Sequence, residues 1–157
     1  MNVFTQEPYA KVEIDADKIS PGLYQGSIPP QGRALFEARF SYLVLAADEF
    51  QPKAERFPGV RVLHAPSFDD VLNSDRISAF MEAADRVAEK VRGGGRVLVT
   101  CIQGRNRSGM IVALALRNLY GMDGASAMML VKQNRKHADA LTNQYFQQFL
   151  TALPRKL

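Results

Sequence analysis

The 157-residue chain holds one cysteine, two histidines and no long apolar run. A single cysteine, Cys101, excludes an internal disulfide, and with only His64 and His137 beside it no group of residues has zinc-ligand spacing. The most apolar stretch, around Met110 to Leu116, falls well short of the roughly 18 residues that span a bilayer, so no membrane segment is expected. Residues 1–7 carry neither a basic segment nor an apolar run, which predicts no secretory signal and a cytoplasmic location. Repeats, low-complexity tracts and long linkers are missing too. What is present is a globular composition, 46% hydrophobic and 23% charged, with a net charge of +4 that favours anionic partners mildly. Thirteen of the 20 basic residues are Arg, whose planar fork grips carboxylate or phosphate with two hydrogen bonds at once.

The pattern along the chain alternates strands with helices. Ile19 to Gln25 reads as a short first strand interrupted by Pro21-Gly22 and closed by the loop from Gly26 to Pro30. Arg33 to Phe40 suits a short helix; Tyr42 to Ala46 and Val60 to Leu63 read as buried strands, with an irregular polar segment from Asp48 to Pro58 between them. Ser74 is expected to cap a helix whose apolar members Ile77, Phe80, Met81, Ala84, Val87, Ala88 and Val91 recur at three- and four-residue spacing, ending at Gly93-Gly94-Gly95. Then come a strand over Arg96 to Thr100, a polar loop from Cys101 to Arg107, and an apolar helix from about Ser108 to Tyr120 stopped by Gly121. Asp123 is expected to cap a helix to about Lys136, and Thr142 or Asn143 the last one, through Leu153. This order predicts an α/β fold: one domain with a central, mostly parallel sheet of about four to five strands and helices on both faces. An N-terminal arm is expected over residues 1–17 and the folded domain over 18–157.

By residue type alone, a lone cysteine is an inert small hydrophobe in a core. Position reverses that reading for Cys101, because it ends a buried-type strand and opens the loop before a helix, where open α/β sheets bind ligands. Successive amides of Ile102, Gln103, Gly104, Arg105 and Asn106 can form a nest for an anion, and the helix N-terminus near Ser108 adds its dipole. Gly104 lets the chain turn without a Cβ, and Asn106 tolerates a left-handed conformation. A loop of this length can bring the guanidinium of Arg107 to face the sulfur across one phosphate-sized hole. An ordinary thiol is only roughly 3% thiolate at pH 7, so such a loop would have to favour the anion.

The segment Cys101-Ile102-Gln103-Gly104-Arg105-Asn106-Arg107-Ser108 resembles the Cys-x5-Arg-(Ser/Thr) phosphate-binding loop of cysteine-dependent protein phosphatases, specifically the small dual-specificity branch. Ile19-Ser20-Pro21-Gly22-Leu23-Tyr24-Gln25-Gly26-Ser27 is similar to that family's I-x-P-x-L-Y-x-G-S pattern, and Gly95 to Val99 to its G-R-V-L-V lead-in. Val131 to Arg135 and Asn143 to Phe146 resemble its V-x-x-x-R and N-x-x-F segments, so the likeness spans about residues 18 to 153. It implies a phosphomonoester hydrolase with no metal and no cofactor. Cys101 would be the nucleophile, Arg107 the clamp on the phosphoryl oxygens, and Ser108 the donor that helps the sulfur leave. Ile102 to Arg107 would bind the phosphate. The general acid is implied to be an Asp on a loop about thirty residues earlier. Asp69, 32 positions before Cys101, is preferred there over the neighbouring Asp70.

Two departures stand out: Thr100 replaces the usual His before the Cys, and Arg105-Asn106 replaces the small or apolar pair of many protein-directed relatives. Asn before the Arg also occurs in relatives acting on RNA 5′-triphosphate ends. Thr100 and Asn143 are expected to support the loop, the latter also as a helix cap. The implied substrate is a phosphorylated protein, with phosphate, sulfate or vanadate able to occupy the loop, no nucleic acid in the main reading, and a monomeric enzyme. The alternatives are the same mechanism on RNA 5′ ends, phosphoinositide or a small phosphoester, and a non-catalytic phosphate-binding module. His64 is expected as a core or rim histidine, Lys132, Arg135, Lys136 and His137 as a basic helix end that either attracts acidic substrates or is simply solvated, and Met110, Met122, Met128 and Met129 in the core.

Overall fold

The computed structural model describes residues 12–156; residues 1–11 of the expected arm lie outside them. In chain order the elements are β1 (Asp17–Ser20), β2 (Leu23–Gly26), α1 (Ala34–Glu37), β3 (Tyr42–Ala47), a 3-10 turn (Ala54–Arg56), β4 (Arg61–Ser67), α2 (Ser74–Arg92), β5 (Val97–Thr100), α3 (Arg107–Tyr120), α4 (Gly124–Asn134) and α5 (Gln144–Ala152). They form one five-stranded sheet in the order β1-β2-β5-β3-β4, antiparallel at β1–β2 and parallel elsewhere.

The apolar runs decide this order. All four residues of β5 are buried, as are Leu43 to Ala47 of β3, and both strands have parallel neighbours on both edges. Edge strand β4 exposes Arg61, His64 and Pro66, and an edge tolerates the proline because no neighbour needs its missing N–H. The two faces are covered unequally. Val44, Ala46, Val97 and Val99 pack in the large core with residues of α2 to α5, whereas Leu43, Leu45 and Leu98 meet Leu35 of α1, Phe40, Phe57 and Val60. Helix α3 is buried all round from Ser108 to Leu116, as expected for a helix inserted between a sheet and other helices. Its N-terminus is thereby fixed behind the C-terminal end of the central strand β5.

Several local expectations are corrected. Pro21-Gly22 does not interrupt one strand but turns the chain, with Gly22 at φ +79, into the antiparallel β1–β2 pair. The first helix is one turn, α4 stops at Asn134, and Asn73 rather than Ser74 caps α2, its side chain accepting from the Arg76 N–H. Asn143, not Thr142, caps α5. Met110 is buried, but Met129 is half-exposed on α4. Among the described residues no helix is long and apolar enough to cross a membrane.

Candidate active site

Cys101 leaves the end of β5 and is 5% exposed. Its Sγ accepts the Ser108 backbone N–H at 3.4 Å and lies 3.2 Å from the Ser108 hydroxyl oxygen. Four successive loop carbonyls then turn outward onto the scaffold. Ile102 O accepts from Ile28 N at 3.3 Å, Gln103 O from Arg135 Nη2 at 3.4 Å, Gly104 O from Arg135 Nε and Gln25 Nε2, and Arg105 O from Leu141 N at 2.9 Å. With the carbonyls held outside, the N–H edge of the loop lines its concave side, the arrangement that receives an anion. Gly104 takes φ +66, and a Cβ there would press on the Gly26 carbonyl at 2.6 Å and on the Arg135 guanidinium. Asn106 has an ordinary right-handed backbone, so its tolerance of a left-handed one is not used. Thr100 donates its hydroxyl to Val44 O at 2.8 Å, so it ties β5 to β3 rather than holding the loop.

Arg107 begins α3 and reaches back over the loop. Glu49, just after β3, takes both of its terminal nitrogens, Nη1 on Oε1 and Nη2 on Oε2 at 3.2 Å, while Nη1 also donates to Ser67 O at 3.3 Å. Among the described residues that leaves Nε–H and one Nη2–H, which share one edge of the fork and can meet two oxygens of a phosphoryl group. Burial opposes the charge on Arg107, but its hydrogen bonds to Glu49 and the attraction of neighbouring Cys101, Glu49 and Asp69 outweigh it and raise its pKa. Arg107 in turn holds the Glu49 carboxyl below the usual carboxylate range. Glu49 carries no sequence signal beyond its place at the end of a strand.

The two aspartates separate clearly. Asp69 Oδ2 accepts from Asn106 Nδ2 at 2.9 Å and its Oδ1 from Asn143 Nδ2 at 2.8 Å, so its carboxyl is pinned over the loop. Asp70 instead accepts the N–H of its own neighbour Val71. Asn106 is thus a strut as well as a loop member: its other amide atom, Oδ1, accepts the Asn143 N–H at 2.9 Å. Asn143 both caps α5 and holds the aspartate.

Arg135 corrects the expected solvated helix end. Its side chain is fully buried, with Nη1 and Nη2 on Asp15 at 2.6 and 2.7 Å, Nη1 on Asp17 at 2.8 Å, and Nε on Gly104 O at 2.9 Å. Asp17 also accepts the Lys136 and His137 N–H groups. His137 is exposed beside it, and Lys132 donates to Ala140 O. His64 is exposed with Nε2 2.9 Å from Pro52 O, and the Arg105 residue is exposed. A surface hollow of about 650 Å³ along α2 between Ile77 and Glu89 is an open face of one helix and does not touch this loop.

No protein-family model matches the chain. Dual specificity phosphatase 28 of Homo sapiens is 32% identical over 127 residues, covering 78% of this chain and 69% of the relative. The crystal structure of a mouse putative dual specificity phosphatase complexed with zinc tungstate aligns with a TM-score of 0.69 at 26% identity, over 96% of this chain and 93% of that one. The crystal structure of human DUSP28 aligns with a TM-score of 0.69 at 28% identity, over 90% and 96%.

Proposed function

We propose that this chain, which belongs to the dual-specificity phosphatases, hydrolyses phosphorylated protein side chains through a phosphocysteine formed on Cys101. One observation carries the assignment: the Cys101 sulfur is held by the Ser108 N–H in a loop with four carbonyls turned outward, close enough to Arg107 for the two to interact electrostatically. Donors aimed where charge develops, and fixed before substrate arrives, are what phosphoryl transfer asks of a protein. The mouse relative's structure is a complex with zinc tungstate, and tungstate is a tetrahedral oxyanion like the phosphate, sulfate or vanadate that we propose this loop holds.

In the first half-reaction Cys101 Sγ attacks phosphorus in line. The S–P bond forms as the P–O bond breaks, and the leaving oxygen takes a proton from Asp69. Arg107 holds two equatorial oxygens. In the second, water attacks phosphorus, its proton passes to Asp69, and the sulfur departs with the S–P electron pair, helped by the Ser108 hydroxyl. Positive charge comes from Arg107 and the loop amides, with no metal or cofactor. The constellation is complete within one chain, which suits a monomer, and a thiol nucleophile must stay reduced, which suits the cytoplasm.

Acid quenching during turnover of a phosphotyrosine peptide tests this directly. Mass spectrometry should find one phosphoryl group on the peptide that contains Cys101; turnover with no label there would sink the proposal. Asp69→Asn is expected to lower turnover about 10²-fold, most for poor leaving groups, with Asp70→Asn near wild type. A series of aryl phosphates of graded leaving-group pKa measures both, and the reverse ranking would move the acid to Asp70.

A further inference from the structure

We propose that Gln25 is a positioning residue for this reaction: its buried side-chain amide aims the Ser108 hydroxyl proton at Cys101 Sγ and thereby speeds breakdown of the phosphocysteine. The proposal rests on the phosphocysteine reading above. Gln25 lies in β2 and is 0% exposed. Its Nε2 carries two protons and no lone pair. One proton goes to Gly104 O at 3.0 Å and the other to Ser108 Oγ at 3.2 Å. The opposite amide orientation is excluded, because a carbonyl oxygen cannot donate to Oε1.

Ser108 Oγ therefore accepts from Gln25 and must send its single proton elsewhere. A helical serine ordinarily returns it to the carbonyl four residues back, which here is Gly104 O. That oxygen already accepts from both Gln25 Nε2 and Arg135 Nε, which occupy its two lone pairs. Ser108 Oγ lies 3.2 Å from Cys101 Sγ, and once the thiol has lost its proton the sulfur is the acceptor that remains. Gln25 thus acts twice, filling the competing acceptor and fixing the hydroxyl. Its own Oε1 is buried and has no partner among the described residues. An unpaired buried acceptor lowers stability, so the amide is explained by what its nitrogen does, and an apolar side chain would fill the space without that cost. The position is also one that the family pattern I-x-P-x-L-Y-x-G-S leaves open, so the resemblance does not supply it.

The two half-reactions respond differently. During attack, a hydrogen bond to the thiolate stabilises the nucleophile already in the ground state and does not help it react. During breakdown, water's oxygen bonds to phosphorus, its proton goes to Asp69, and the S–P electron pair is left on sulfur. Negative charge then grows where the hydroxyl points. Loss of that aim should slow breakdown about tenfold and leave formation nearly unchanged.

Stopped-flow hydrolysis of para-nitrophenyl phosphate by Gln25→Met and Gln25→Leu tests this, with thermal melting as the control for folding. We expect a burst of about one nitrophenolate per active site, kcat about tenfold lower and kcat/KM within about twofold of wild type. Ser108→Ala should behave alike, and Gln25→Met should cost nothing further in the Ser108→Ala background. A merely structural role would lower kcat and kcat/KM together, give no burst and add to Ser108→Ala; any of these overturns the proposal. If neither Gln25 variant folds, the side-chain amide resonances of Gln25 decide it in Ser108→Ala: the proton facing Ser108 should shift and the one on Gly104 O should not. No shift overturns it. Phosphocysteine trapping on the wild type separates the two failures, since a missing label sinks the reading beneath, whereas label without a burst in the variants sinks only the role of Gln25.

Discussion

Cys101→Ser is expected to abolish phosphatase turnover, by at least about 10⁴-fold, while leaving the fold and the loop's affinity for oxyanions in place. The substitution exchanges one atom at the floor of the loop, and the Ser108 N–H and hydroxyl can still reach the new oxygen. A hydroxyl, unlike a thiol, needs a base to become a nucleophile near pH 7, and none is free to serve among the described residues. Asp69 is held by Asn106 and Asn143 away from the floor, His64 is bound near Pro52 O, and His137 stands against Asp17. Turnover of para-nitrophenyl phosphate in chelator, together with calorimetric binding of vanadate, checks both halves. Retained turnover would overturn the thiolate mechanism. Loss of vanadate binding along with turnover would mean that the sulfur shapes the loop rather than only reacting in it. A wild type that binds vanadate yet never turns over would instead make the chain a phosphate-binding module.

What the sequence displayed and what it hid divide along contact distance. The Cys101 to Ser108 loop is legible because the residues proposed as nucleophile, turn, clamp and leaving-group donor share one short segment, and the flanking β-branched strand and apolar helix fix which way it faces. Asp69 was preferred by spacing, and its carboxyl is the one tied to the loop through Asn106. Glu49, Gln25 and the Asp15–Asp17 pair left no local trace. Their partners lie 58, 83 and about 120 positions away, and nothing in a strand-ending Glu or a strand Gln announces a distant guanidinium or hydroxyl. Arg135 was misread for a related reason. Beside Lys132, Lys136 and His137 it looks like one more charge on a solvated helix end, and only the inward turn after α4 sends it beneath the loop.

Arg135→Met should be the most destabilising single change in the neighbourhood of the site, by about 3–5 kcal/mol at pH 7, because it leaves the Asp15 and Asp17 carboxylates without the buried cation that pairs them. For a chain of this size that corresponds to a fall in Tm on the order of 10 °C. Gly104 O would also lose its bond from Nε, so activity should fall even where the variant is folded. The pH dependence separates this account from a packing defect. In the wild type the Arg135 hydrogen bond, against burial, holds Asp15 below its ordinary pKa; burial pushes Asp17 up, but the N–H groups of His137 and Lys136 together with Arg135 bring it down. Groups whose pKa is depressed on folding stabilise the protein above their unfolded pKa near 4, and that contribution is lost as pH falls through the lower folded values. The wild type should therefore lose stability below about pH 4. In Arg135→Met the unpaired carboxylates take up protons at higher pH than in the wild type, and protonation relieves the charge buried without a partner. The stability gap between the two proteins should narrow steadily from pH 7 towards pH 3, as denaturant unfolding across that range would read. A gap independent of pH would mean that Arg135 acts by filling space, and Asp15→Asn should then fail to recover any of the lost stability in the Arg135→Met background.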